Sequence, residues 1–258
     1  MNTTLDLVVA DGVATLTLVA DEPRRPPTFD HPTLDALDAR LTEVAARLGP
    51  ASIRLLFIRS ASPRFFCAGA NLNALQTINA DTIGAWVAHG HEVFARLEDL
   101  PIPTVARVEG FALGGGLELA LACDLIFARD TAELGQTEAA LGFVAGWGGS
   151  MRLPRRVGVA RAKELFFSAR RVPAAAALTY GLIDFCGDAD ALAAHCDDFA
   201  SAVKSGSARS HAEHKRLVDA AAGRSRADGA RAEADASVAC LRDSDTAARL
   251  RHFLHARK

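Results

Sequence analysis

The stretch FALGGGLELALACDL, Phe111 to Leu125, runs three consecutive glycines into an apolar segment that carries one carboxylate, Glu118, ahead of Asp124. Glycine inside a helix costs about 1 kcal/mol relative to alanine, so Gly114-Gly115-Gly116 marks a turn: either another group comes close to the backbone there, or φ is positive. The residues that follow, LELALAC, are good helix formers. The glycines therefore sit at a helix N-terminus, where several N–H groups lack intrahelical acceptors and the helix dipole is positive. That end can hold an anion or a developing oxyanion; a tight packing turn fits the same residues. At helical spacing Glu118 meets Gly114, Gly115, Leu121 and Ala122, none of them a cation. Buried, such a carboxyl has a raised pKa suited to proton transfer; exposed, it is an ordinary glutamate favoured by the dipole.

Two neighbouring segments extend the pattern. Cys67-Ala68-Gly69-Ala70-Asn71 also follows a predicted strand and places small residues before a helix start, leaving the N–H of Ala70 as a second candidate donor. Glu138, in LGQTEAALGF, has apolar or small neighbours, with Leu134 and Leu141 at helical distances. Two such carboxylates beside a pair of N–H donors would share a water and titrate as a coupled pair.

Around this centre strands and helices alternate. Leu5–Val9 and Val13–Val19 are predicted as a hairpin turning at Asp11-Gly12. The spacing predicts helices over Leu34–Leu48, Ile83–Leu100, Ala160–Ser168 and Ala174–Tyr180, and extended segments over Ile53–Arg59, Pro101–Val108, Leu125–Ala128 and Glu133–Gln136. That order predicts an α/β fold with crossover connections. From about Asp188 strand formers thin out, and the helices DALAAHCDDFASAV and DTAARLRHFLHA carry narrow apolar stripes that call for packing on the first region or on another subunit. The expected division is a core over residues 1–190 and a helical region over 191–258.

The 258 residues carry a formal net charge of −2, which gives no electrostatic case for nucleic acid or a membrane surface. No apolar run is long enough to span a bilayer. The five cysteines include no C-x-x-C pair and read as reduced, mostly buried thiols of a cytoplasmic protein. The eight histidines show no metal-ligand spacing, and no signal peptide is expected from MNTTLDLVVADG.

The segments FFCAGANL, VARVEGFALGGGLELALACDLIFA and ELGQTEAALGFVAGWGGSMRLPRRVG together resemble the enoyl-CoA hydratase/isomerase (crotonase) family, densely from about Arg54 to Asp184. The resemblance implies a crotonase-like spiral of ββα units with a C-terminal helical oligomerisation region, assembled as a homotrimer or a hexamer of paired trimers. It implies oxyanion donors at Ala70 and Gly115, with Ala68, Gly69 and Gly114 against the thioester, and catalytic carboxylates at Glu118 and Glu138. It further implies water addition to a 2-enoyl-CoA, with Glu118 and Glu138 activating water for attack at C3 and Glu138 protonating C2; the same hole with one glutamate also fits double-bond isomerisation, decarboxylation or thioester hydrolysis, and a non-catalytic CoA- or RNA-binding member is a further alternative. Coenzyme A would enter as part of the acyl-CoA substrate, with no permanently bound cofactor. Its phosphates call for cations at the pocket mouth. Arg24, Arg25 and Arg64 are candidates, each equally readable as a solvated cation, and Lys258 is a further one. Arg152-LPRR-Val157 reads as a packing or subunit surface.

Three departures from the family pattern stand out. Asn71 replaces a frequent Asp. DEPRRPPTFDHP replaces the usual Asn-Arg-Pro segment. Trp147 stands where hydratases carry a small residue, either narrowing the acyl pocket or filling core.

Overall fold

The computed structural model describes residues 2–48 and 53–255, so Lys258 lies outside the described residues. The chain opens with an antiparallel hairpin of β1 (Thr3–Ala10) and β2 (Val13–Ala20). Its turn uses Asp11 and Gly12, both at positive φ, as the Asp-Gly pair predicts. Helix α1 (His31–Ala46) starts three residues before the predicted Leu34, because Asp30 caps it: its Oδ1 accepts from the Thr33 N–H at 3.0 Å and the Thr33 hydroxyl at 2.7 Å.

Two strands and a helical segment then recur three times. The first turn contains β3 (Leu55–Ser60), β4 (Phe65–Cys67), α2 (Leu72–Leu75) and α3 (Ile83–Glu98). The second contains β5 (Thr104–Val108), β6 (Phe111–Leu113) and α4 (Gly115–Leu121). The third contains β7 (Leu125–Arg129), β8 (Glu133–Gly135), a 3-10 turn over Glu138–Leu141, α5 (Gly149–Val157) and α6 (Val159–Ser168). The strands β9 (Val172–Pro173) and β10 (Phe185–Gly187) flank α7 (Ala174–Thr179). Each turn gives one strand to each of two sheets, ordered β1-β2-β3-β5-β7-β10 and β4-β6-β8-β9. Contacts within each sheet are parallel except β1–β2 and β8–β9. The result is the spiral of ββα turns that the family resemblance implies, within the α/β class predicted from the order of elements.

Strand β3 is buried on both faces, as parallel strands are. Leu56 and Ile58 enter the main core, while Leu55 and Phe57 face α8 (Ala189–Ser205) through Leu192, Cys196, Ala200 and Val203. The narrow stripe of α8 therefore packs on the sheet; the helix starts at Ala189, ahead of the expected division at residue 191. Helix α9 (Ala208–Asp219) is tied down by Lys215, which donates to Asp124 Oδ2 at 3.0 Å. Helices α10 (Arg226–Arg242) and α11 (Ser244–His255) leave Leu241, Leu250 and Leu254 exposed. Among the described residues no helix is long and apolar enough to cross a membrane.

In the glycine-rich segment GFVAGWGGS the last glycines launch α5, with Gly148 at φ +105 as the N-cap. The basic run Arg152–Val157 belongs to this helix and splits in direction: Arg152 points inward and is buried, and Arg155 is exposed. Arg156 reaches the Asp184 carboxylate at 2.9 Å and the Asp124 carbonyl at 2.7 Å.

Candidate active site

Strands β4 and β6 are parallel neighbours, so the bends that follow them leave the same edge of the small sheet. One bend is Ala68-Gly69-Ala70 and the other Gly114-Gly115. They touch backbone to backbone: a Cβ added to Gly69, which has φ +85, would stand 2.6 Å from the Gly115 nitrogen. Gly114 adopts φ 54 and ψ −128, a region that L-residues with a Cβ avoid.

Ala70 lies in a parallel bridge with Phe29, made by the atoms on either side of it: Phe29 N–H donates to Gly69 O at 2.8 Å, and Asn71 N–H to Phe29 O at 2.7 Å. That pattern turns the N–H of Ala70 away from Phe29. Gly115 is the first residue of α4, where N–H groups have no intrahelical acceptor. Both residues line one cavity of about 230 Å³, together with Ala68, Gly114, Glu118 and Glu138.

Glu118 is 2% exposed, which excludes the reading of a solvated glutamate beside the helix start. Its Oε1 accepts N–H groups from Trp147 and Gly149, each at 2.7 Å. Burial pushes its pKa above the ordinary carboxyl value; the N–H donors of Gly149, Trp147 and Gly146 and the Arg152 charge oppose that rise. Glu138 sits in the 3-10 turn rather than on a helix, so Leu134, on β8, is not its helical neighbour. Burial, and then the Glu118 charge, push Glu138 up to about 7. The two acids thus form a coupled pair at one end of the cavity, one of them poised to exchange a proton near neutrality.

Gln136, 1% exposed, was missed in the sequence. In the amide orientation that satisfies its neighbours, its carboxamide nitrogen donates to both Glu138 carboxylate oxygens at 3.0 Å. It stands just past β8, two positions before the 3-10 turn that carries Glu138, and no periodic spacing in the sequence marks it. His91 and Thr137, which also line the cavity, are likewise unmarked.

Trp147 is buried among Phe29, Phe94 and Trp86, with ring centroids 6.0, 5.5 and 5.2 Å away, and it also lines the cavity. Its ring lies on two glycines: a Cβ at Gly115 would stand 2.5 Å from Cζ3, and one at Gly90 would stand 2.1 Å from Nε1. Asn71 caps α2, its side-chain oxygen accepting from the Asn73 N–H at 3.0 Å.

The candidate phosphate-binding cations do not line this cavity. Arg24 and Arg25 are exposed on the loop after β2, where Arg25 pairs with Glu22 at 2.9 Å. Arg64 is exposed, with its guanidinium 5.1 Å from the Phe65 ring centroid. Among the described residues no cluster of three or more His, Cys, Asp or Glu could hold a metal ion.

Comparison with known proteins follows the same lines. The sequence model described as enoyl-CoA hydratase/isomerase matches residues 12–258. A methylglutaconyl-CoA hydratase, mitochondrial, of Rattus norvegicus is 45% identical over 131 residues, covering 51% of this chain and 42% of that protein. The chain therefore spans less than half the length of this relative. A short-chain-enoyl-CoA hydratase of Clostridium acetobutylicum is 35% identical over 172 residues, 67% of this chain and 64% of its own. The crystal structure of an enoyl-CoA hydratase from Bacillus anthracis superposes with a TM-score of 0.90 at 30% identity, covering 99% of this chain and 97% of that one.

Proposed function

Because the chain belongs to the enoyl-CoA hydratase/isomerase family, we propose that it is a hydratase that adds water across the 2,3 double bond of a short-chain 2-enoyl-CoA. The observation that carries this reading is that Glu118 and Glu138 line the same cavity as Ala70 and Gly115. A single carboxylate can move a proton along a substrate; holding a water and delivering its proton to the adjacent carbon suits two.

In this mechanism the thioester oxygen lies between the N–H groups of Ala70 and Gly115. As water attacks C3, charge moves onto that oxygen, and the two donors stabilise it; loss of one such donor typically costs about 3–4 kcal/mol. Backbone donors are already oriented, so little reorganisation is needed at the moment of reaction. Glu118, fixed by main-chain N–H groups on Oε1, holds the water. Glu138, with its pKa at about 7, takes a proton from that water and returns one to C2. Net change is the elements of one water added, with no oxidation or reduction. Coenzyme A takes part only as the thioester handle, and Arg24, Arg25 and Arg64 remain the cations we assign to its phosphates.

Trp147 supports the short-chain assignment. Its ring lies on Gly115 and packs against Phe29, Phe94 and Trp86, so it takes up space beside the oxyanion bend that a small residue would leave to the acyl group. The exposed Leu241, Leu250 and Leu254 support self-association through the C-terminal helices as a trimer or a pair of trimers.

The test is turnover of crotonyl-CoA, with products weighed. Hydration adds the mass of one water, whereas isomerisation leaves the mass unchanged. Glu138→Gln is expected to abolish most of the gain while leaving thioester binding near wild type. Full turnover in that variant, or product of unchanged mass from the parent protein, would overturn the assignment. Branched and dicarboxylic enoyl thioesters belong in the same panel, given the methylglutaconyl-CoA relative.

A further inference from the structure

Arg152 reaches the active site without touching the cavity. It is 8% exposed on α5. Its Nε and Nη2 both donate to Glu98 Oε2 on α3, at 3.0 and 2.6 Å. Its Nη1 donates to the carbonyl of Trp147 at 2.8 Å. The N–H of the same residue, Trp147, is one of the two donors on Glu118 Oε1. The other comes from Gly149, at the first turn of the helix that carries Arg152. Between them Gly148 leaves room for the guanidinium: a Cβ there would stand 2.1 Å from Nη1.

We propose that the Arg152–Glu98 ion pair is a positioning device for Glu118, acting through the main chain of the Gly146–Gly149 bend. The pair is anchored on α3, and it holds the Trp147 carbonyl so that the N–H groups on the opposite side of the bend stay aimed at the carboxylate. This rests on Glu118 working in the reaction proposed above. The fork matters as much as the charge. Two guanidinium nitrogens hold Glu98 while a third holds the carbonyl, and a lysine ammonium cannot span the two with the same rigidity.

A plain structural staple between α3 and α5 would use the same contacts, but it would leave the proton affinity of Glu118 alone. The positioning role does not. The N–H donors of Gly149, Trp147 and Gly146 and the nearby positive charge all favour the ionised carboxyl, so releasing the bend moves Glu118 titration upward. The other titratable groups on the elements packed about Glu118 are Glu138 from the turn after β8, His91 from α3 lining the same cavity, Cys67 of β4 and Cys123, two residues past the end of α4. Burial holds both thiols up at about 12, so they stay neutral throughout the range tested.

The experiment compares the full chain with Arg152→Met and Glu98→Gln. Two readouts are taken: the pH profile of crotonyl-CoA hydration, and infrared titration of the protonated carboxyl band assigned to Glu118 by its absence in Glu118→Gln. Expected for Arg152→Met is a kcat loss of roughly ten- to a hundredfold, with KM changed less than about threefold. The Glu118 titration and the acid limb of the profile move up together. Glu98→Gln, at a half-exposed site, shifts both in the same direction by less. A fall in kcat with an unmoved Glu118 band, or wild-type behaviour in both variants, overturns the proposal. If Arg152→Met does not fold, Glu98→Gln decides on the same two readouts. If the parent protein hydrates nothing, the proposed reaction fails while the infrared titration still decides the positioning role.

Discussion

Replacing Glu138 by glutamine is expected to make the protein more stable above neutral pH while removing its activity. Folding moves this carboxyl from an ordinary 4.5 to about 7, a change worth about 3 kcal/mol at roughly 1.36 kcal/mol per pH unit. The sign follows from which form the fold prefers. The folded state holds the proton more tightly, so the associated stability is complete below the ordinary carboxyl range and is lost as pH rises through the folded value. At about pH 8 the wild-type protein thus carries the whole penalty of a buried charge beside Glu118, and a neutral glutamine does not. The amide gives up one of the two contacts with Gln136, which subtracts about 1 kcal/mol. The net expectation is a gain of roughly 2 kcal/mol at about pH 8, falling to near zero at about pH 5. Urea unfolding followed by circular dichroism at the two pH values, at equal protein concentration, measures it. A variant less stable than wild type at the higher pH, or one whose advantage is the same at both, would refute the argument that Glu138 is held at the cost of its own ionisation.

Other expectations follow from the same geometry. Gly114→Ala puts a Cβ at φ 54, ψ −128 and 3.2 Å from Glu138 Oε1, so it should lower stability by about 1–3 kcal/mol and reduce kcat, as read by urea unfolding and turnover. Trp147→Phe removes part of the floor under the thioester. It should cost about 1–2 kcal/mol and raise kcat/KM for longer enoyl chains relative to crotonyl-CoA, measured over a chain-length series. Cys67 and Cys123, buried and held at about 12, should resist alkylation in the native protein, with the half-buried Cys186 and Cys240 labelled first in peptide mass mapping.

Local sequence signals were read well where one residue controls its own surroundings. Asp11-Gly12 specifies the hairpin turn, the stripe Leu34, Leu37, Leu41 and Val44 is the buried face of α1, and three glycines before LELALAC mark the start of α4. The identities of Ala70, Gly115, Glu118 and Glu138 as site candidates were legible for the same reason, aided by the family resemblance. What escaped is the orientation of side chains that answer to distant partners. Helical spacing around Glu138 paired it with Leu134, yet Gly135 to Thr137 carry the chain out of β8 before the 3-10 turn begins. The basic run after Met151 reads as a packing or subunit surface, but Glu98, more than fifty positions earlier, draws Arg152 into the interior.

Trp147 shows why such features are not written in any one segment. In the sequence it is an indole between glycines, with no periodic partner. In the fold its ring needs Gly90 on α3 and Gly115 on α4 to lack side chains, its N–H serves Glu118, and its carbonyl takes Arg152. Four residues on three helices must agree before the residue has a function, and each agreement is made by an atom that is missing or by a main-chain group every residue has. A substitution at Gly90 should therefore act on the active site without touching it. Gly90→Ala places a Cβ 2.1 Å from Trp147 Nε1, backbone on ring, with no flexible side-chain end to yield. The ring must move off Gly115, and the thioester floor and the N–H on Glu118 move with it. Overpacking of this kind costs about 1–3 kcal/mol of stability. If kcat in a folded Gly90→Ala protein equals that of wild type, the ring is not what ties the oxyanion bend to the acid.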